Sequence, residues 1–117
     1  MNNRLKPEIN FEDLTKVDIR VGTIVGVNNF PKARKPAYQL KIDFGKLGIK
    51  KSSAQITDLY KKEDLLDKQI IAIVNFQSKQ IANFLSECLI LGIENSDNHI
   101  VLLQPSISNI KKGEIIR

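Results

Sequence analysis

Basic side chains offer most of the chemistry in this chain. Lys32, Arg34 and Lys35 fall within four positions, between Pro31 and Pro36. Cations crowded into one loop can neutralise phosphate oxygens, and two prolines limit how that loop folds. Lys50 and Lys51 open the run Lys50-Lys51-Ser52-Ser53-Ala54-Gln55, in which small polar residues add neutral donors and acceptors. Gln39 and Lys41 come from the preceding apolar-alternating segment, and Lys79 and Ser86 from a long polar connection further on. Each cation also reads as an ordinary charge solvated on a surface. Lys50 and Lys51 cannot both face one ligand if they lie on a strand, because successive side chains point to opposite faces.

Catalytic and metal chemistry find little support. The chain has one histidine, His99, and one cysteine, Cys88. A nucleophile needs a base beside it, and Ser52-Ser53 lacks the glycines of a nucleophile elbow. Cys88 sits in an apolar alternation, where a thiol is a small core side chain. One Cys and one His make no metal cluster, so no catalytic residue, metal or cofactor is expected. Gly45-Lys46-Leu47-Gly48 is too short and wrongly ordered for a phosphate-binding loop. Aromatic side chains are few, with no tryptophan and two tyrosines, which disfavours stacking of single-stranded bases and suits reading of a folded RNA by shape and phosphate.

The elements that must position these residues are read from periodicity. Residues 1–10 are polar, carry Pro7 and read as an arm; residues 11–117 read as one domain, as 117 residues allow. Phe11, Leu14 and Val17 recur at helical spacing and are expected to pack inward from a short N-terminal helix. From Asp18 the period becomes two, with Ile19, Val21, Thr23, Val25 and Val27 on one side. Gly22 and Gly26 interrupt that strand and would let it bend or bulge. Tyr38, Leu40, Ile42 and Phe44 alternate as a half-buried strand. Ile49–Ile56 is a third strand. Thr57 caps a helix expected to run to Leu66, with Leu59 and Leu66 on its inner face. Ile70–Val74 reads as a central strand buried on both sides, Asn75–Phe84 as a long connection, and Glu87–Ile93 as a strand. A polar turn at 94–98 and a return strand at His99–Leu103 complete a hairpin. Tyr38, Phe44 and Phe76 have core-like spacing. Ile107, Ile110, Ile115 and Ile116 form an apolar tail around a turn at Lys111–Glu114.

Apolar residues make 42% of the chain and charged residues 26%, as in an ordinary globular domain. Lysine and arginine outnumber acids 18 to 13, a net charge of +5 that favours polyanionic partners. No apolar stretch is long enough to span a membrane, and the first residues lack the apolar core of a signal peptide, so membrane insertion is not expected and a cytoplasmic location is. A single cysteine fits a reducing compartment.

Asp18-Ile19-Arg20-Val21-Gly22 read with Ser86-Glu87-Cys88-Leu89-Ile90-Leu91-Gly92, with Lys50–Gln55 and Ile73-Val74-Asn75-Phe76 between them, resembles the tribe of OB-folds known as the tRNA-binding-domain family. Its short stand-alone members, the CsaA-type secretion chaperones, are the most similar. The resemblance runs from about Phe11 to the C-terminus. It implies a mainly β fold: a five-stranded OB-fold Greek-key barrel with a short N-terminal helix, a helix between strands 3 and 4, and a C-terminal β extension. It implies a homodimer that binds tRNA or other structured RNA and, as a chaperone, unfolded preproteins for export. Nucleic-acid binding would fall to Lys32, Arg34, Lys35, Lys41, Lys50, Lys51, Lys79 and Ser86. The family pattern has a glycine where Asn83 stands, and asparagine tolerates the same left-handed backbone. It has a basic residue where Leu85 stands. That change removes a charge and, with Phe76 and Phe84, adds apolar surface for peptide binding. Phe11, Leu14, Ile107 and Ile110 are expected at the dimer interface. An RNA-binding module without chaperone activity and a dimerisation domain without a ligand are the other readings.

Overall fold

The computed structural model describes residues 3–117; Met1 and Asn2, the start of the expected arm, lie outside the described residues. Residues 3–10 run exposed without helix or strand. The order is α1 (Phe11–Thr15), β1 (Ile19–Asn29), β2 (Tyr38–Asp43), β3 (Ile49–Ala54), α2 (Lys62–Leu65), β4 (Gln69–Ile73), β5 (Lys79–Ile81), β6 (Phe84–Ser86), β7 (Leu89–Ile90), β8 (Gly92–Glu94) and β9 (Ile100–Leu102). A single 3-10 turn, Gly45–Leu47, joins β2 to β3. Five strands form one antiparallel sheet in the order β3-β2-β1-β4-β7, while β5-β6 and β8-β9 are separate hairpins. The expected mainly β, five-stranded barrel architecture is present, with a helix between β3 and β4.

The long first strand serves two neighbours. Its first half pairs with β4, from Ile19↔Ile73 to Thr23↔Gln69, and its second half pairs with β2, from Thr23↔Asp43 to Asn29↔Tyr38. The register slips between Ile24 and Gly26, a bulge of the kind that bends a strand around a small barrel. Beyond this bulge the expected alternation reverses, so that Val27, opposite Leu40, packs on the core rather than on the side of Val21 and Thr23. Ile24 is fully buried and Val25 is 40% exposed. Val21 and Thr23 are buried too, but on the outer side, beneath the C-terminal segment: the Val21 N–H donates to the Glu114 carbonyl and the Gly113 N–H to the Val21 carbonyl. Gly22 faces inward, where a Cβ would lie 2.5 Å from Ile42 and 2.6 Å from Phe44. The alternation on β2 holds, with Tyr38, Leu40, Ile42 and then Phe44 inside.

The core joins these residues to Ile56, Leu65, Ile70, Ala72, Cys88 and Leu102. Burying each large apolar side chain contributes about 1.5–3 kcal/mol against chain entropy. Several expectations need correction. The helix before β4 is one turn, because Asp64 turns its carboxylate back to the Lys61 N–H and starts it there rather than at Thr57. Leu65 is the buried contact, and Leu59 and Leu66 are nearly half exposed. On β4 only Ile70 and Ala72 are fully buried, and the other face is half covered. The strand expected at 87–93 breaks at Leu91, whose N–H still reaches the Ile71 carbonyl. The 75–84 connection is not featureless, since it contains β5 and leads into β6 through a two-residue turn. Its left-handed residue is Ala82, at φ 52°, and not Asn83. Phe76 is 55% exposed and no part of the core.

The N-terminal helix also departs from expectation. Asn10 and Asp13 form a reciprocal cap at 3.0 and 3.2 Å, so the turn is well started. None of its residues is buried: Phe11 is 76% and Leu14 48% exposed, and Val17 beyond it is 38%. At the other end Ile107 is 73% exposed and Ile110 half buried.

Candidate nucleic-acid interface

The loop between β1 and β2 is held by its ends. Phe30 and Ala37 are buried, and a turn closes Phe30 onto Ala33 through a 3.2 Å backbone bond. Lys32, Arg34 and Lys35 are left exposed between these anchors. The Phe30 ring packs on Phe84 of β6 with centroids 5.5 Å apart, and Lys51 Nζ lies 5.4 Å over the Phe84 ring. Phe84 therefore ties the basic loop, the β5-β6 hairpin and β3 together, rather than standing free for a peptide.

Between these elements runs a groove of about 600 Å³ lined by Arg34, Lys35, Ser53, Gln55, Lys79 and Gln80. A neighbouring hollow of about 330 Å³ shares Ser53, Lys79 and Ile81 with it and adds Phe76, Ser86 and Cys88. No carboxylate lines either space. Among the described residues, none of Lys32, Arg34, Lys35, Lys41, Lys50, Lys51 and Lys79 forms an ion pair with an acid. The register sets Lys41 directly opposite Lys51, with Gln39 opposite Ser53. Like charges placed opposite each other on one face repel unless an anion lies between them. Lys50 projects to the other face of β3, so the two adjacent lysines separate as the pleat requires. Lys32 sits at the loop's outer turn and does not line the groove. Leu85 is 38% exposed on the hairpin.

A cavity of about 470 Å³ elsewhere also has cations, at Arg20, Lys46, Lys111 and Lys112. Two of them are already held. Arg20 Nε donates to Asp18 at 2.6 Å, a bond that raises the guanidinium pKa, and Lys112 Nζ donates to Asp43 at 3.2 Å. Arg20 also donates to the Gly113 carbonyl at 3.1 Å. The Asp18-Ile19-Arg20 motif is thus a clamp on the C-terminal segment, and the Asn75 amide pins the same region through Asp18 N–H and the Lys16 carbonyl.

Glu87, read in the sequence only as part of a motif, has a structural task that the motif did not specify. Its carboxylate accepts from the Lys51 N–H at 2.9 Å, and its own N–H donates to the Lys51 carbonyl at 2.7 Å. The Ser52 hydroxyl, buried, donates to the Cys88 carbonyl at 2.8 Å. Together these close the barrel where β3 and β7 do not form a ladder. The signal was present in the polar Ser86-Glu87 step before an apolar strand. Cys88 is buried, and that burial pushes its thiol pKa up to about 11.

Residues 19–114 match the family described as "Putative tRNA binding domain". The chain belongs to the tRNA-binding-domain family. Its β2-β3 face and the loop between β1 and β2 are the surfaces on which OB-folds take ligands. Two solved structures of this fold are similar over nearly the whole chain. The CsaA chaperone protein of Picrophilus torridus is 51% identical with a TM-score of 0.87, covering 94% of this chain and 100% of that one. The chaperone CsaA of Bacillus anthracis is 47% identical with a TM-score of 0.89, covering 95% and 100%. The methionine–tRNA ligase of Chlorobium chlorochromatii is 36% identical over 101 residues, 86% of this chain and 14% of the ligase. That of Bacteroides fragilis is 35% identical over 119 residues, 99% of this chain and 17% of the ligase. The chain thus spans only 14% and 17% of these ligases. No helix among the described residues is long and apolar enough to cross a membrane.

Proposed function

We propose that this chain is a CsaA-like, homodimeric tRNA-binding protein that works in the cytoplasm. The observation carrying it is the groove between the basic loop and the β5-β6 hairpin, where Arg34, Lys35 and Lys79 meet without a single acid. Unpaired cations around an acid-free groove suit phosphate oxygens, and few accessible aromatics suit a folded RNA read by its backbone. Two copies would present two such grooves and multiply the contacts. The exposed faces at Phe11, Leu14 and Ile107, with half-buried Ile110, support self-association. The test is fluorescence anisotropy of labelled bulk tRNA against the wild type and an Arg34→Ala/Lys35→Ala/Lys79→Ala variant. A loss of at least about a hundredfold at 0.1 M salt is expected from three fewer phosphate contacts. Equal binding by both proteins would remove the groove from the account.

A second reading has its own support. Neighbours at 47–51% identity are chaperones, Phe76 lines the neighbouring hollow, and Leu85 leaves apolar surface exposed on the β5-β6 hairpin. On this reading the protein also holds unfolded preproteins before export. Suppression of aggregation of a reduced, unfolded client would support it; no effect at a fivefold molar excess would count against it.

A further inference from the structure

The edge of β3 is satisfied in one place and open in the next. β3 is the outer strand of the five-stranded sheet, and its register with β2 runs without a slip from Tyr38↔Ala54 to Asp43↔Ile49. Backbone N–H and C=O groups along such a strand alternate between the partner and the free side. Lys51 turns both groups to the free side, where Glu87 takes them at 2.9 and 2.7 Å. Ser53, two residues on, turns its N–H and C=O the same way, beyond the reach of the Glu87 clasp. None of the backbone or side-chain bonds among the described residues pairs with either group. Ser53 lies instead in the floor of both hollows described above.

We propose that this open edge takes an extended acidic segment of polypeptide as an added strand. The inference rests on the second reading above, that the protein binds unfolded polypeptide, and names its mode and chemistry. An exposed strand edge is a template for another strand, and main-chain bonding of this kind supplies affinity without demanding a sequence. The flanking charge sets the preference. Arg34, Lys35 and Lys79 line the groove at the open part of the edge and no acid lines it, while Glu87, on the neighbouring part, has its carboxylate engaged by the Lys51 N–H, so acidic side chains on the added strand are favoured. Phe30 and Ile81 line the same groove and offer contact to apolar side chains. A phosphate backbone serves this edge less well, because phosphate oxygens only accept and leave the Ser53 carbonyl without a donor.

The test uses the wild-type protein and a fluorescein-labelled, end-capped hexapeptide, Glu-Val-Glu-Val-Glu-Val, read by anisotropy. Two further peptides carry N-methyl groups on alternate residues, in one phase or the other. One phase should weaken binding at least about tenfold, since it removes the donors that face β3, and the other should bind as the parent does. Equal binding by both phases, or equal binding of the Lys-Val counterpart, overturns the proposal. Ser53→Pro removes an N–H that points away from β2, so the ladder survives and peptide binding should fall by a similar factor. If Ser53→Pro weakens tRNA but leaves the peptide untouched, the edge serves RNA and the proposal fails. Carboxymethylated α-lactalbumin, an unfolded acidic chain, separates the two levels. Binding of that protein without binding of the peptide overturns the strand-addition mode alone; binding of neither overturns the polypeptide reading as well.

Discussion

Gly22 and Gly26 sit on one strand, and the structure gives the same substitution opposite outcomes at the two sites. An alanine Cβ at Gly22 would meet Ile42 Cγ2 at 2.5 Å and the Phe44 ring at 2.6 and 2.9 Å. Both neighbours are fully buried, and neither ends in a flexible chain that could swing aside. Overpacking of this kind costs about 1–3 kcal/mol, and the rigid neighbours put Gly22→Ala near the top of that range. A less flexible unfolded chain returns about 0.5–1 kcal/mol, leaving a net loss of about 2 kcal/mol. For a domain of this size that lowers Tm by about 8 °C. At Gly26 the nearest atom is Lys41 Cβ at 3.4 Å, and its φ is not positive. Gly26→Ala should therefore be neutral or raise Tm by about 2 °C. Both variants are compared with the wild type by far-UV circular dichroism at one protein concentration, in heat and in urea. The absence of tryptophan makes this a better probe than fluorescence. If the two alanines cost the same, Gly22 is not the contact on which Phe44 packs, and the inward assignment of this face is wrong.

Two other outcomes follow from single residues. Burial raises the Cys88 thiol from its ordinary 9.0 to about 11, so at pH 8 the folded chain holds about a hundredfold less thiolate than the unfolded chain. Iodoacetamide should label it correspondingly slowly until denaturant is added. Because the folded state holds this proton more tightly, the associated stability is complete below pH 9 and is lost as pH rises toward 11. Labelling at equal rates with and without urea would contradict this. Separately, light scattering after size exclusion at micromolar concentration should give twice the 13.2 kDa chain mass, and a Leu14→Glu/Ile107→Glu variant should shift toward the monomer. A wild-type monomer would refute the dimer.

What could be read from the sequence was whatever depends on local pattern. Tyr38, Leu40, Ile42 and Phe44 came out inside because β2 has no bulge to break its alternation. Val27 came out on the wrong side because the slip between Ile24 and Gly26 reverses the faces and turns it toward the core, and two glycines alone do not say where a bulge falls. Leu59 and Leu66 looked like one face of a helix, but only Lys62–Leu65 is helical, so Leu65 takes the buried place. The cations of the 32–35 loop were visible as a cluster. Their meeting with Lys79 depends on the β5-β6 hairpin folding over Phe30 through Phe84, a long-range packing that no short pattern encodes. Arg20 and Glu87 carried the recognisable motifs, yet their tasks are structural: one clamps Gly113 and the other clasps Lys51. Such roles are set by partners distant in sequence.

The central claim is that phosphates are bound by unpaired cations in the groove, and the salt dependence of tRNA binding tests it most directly. Three groove cations per copy give about six phosphate contacts in a dimer, for a log–log slope near −5. Affinity should then fall about a thousandfold between 50 and 200 mM salt. One engaged groove would give a slope near −3, still the signature of counterion release. No binding of tRNA at 50 mM salt, or binding with a slope shallower than about −1, would contradict the account.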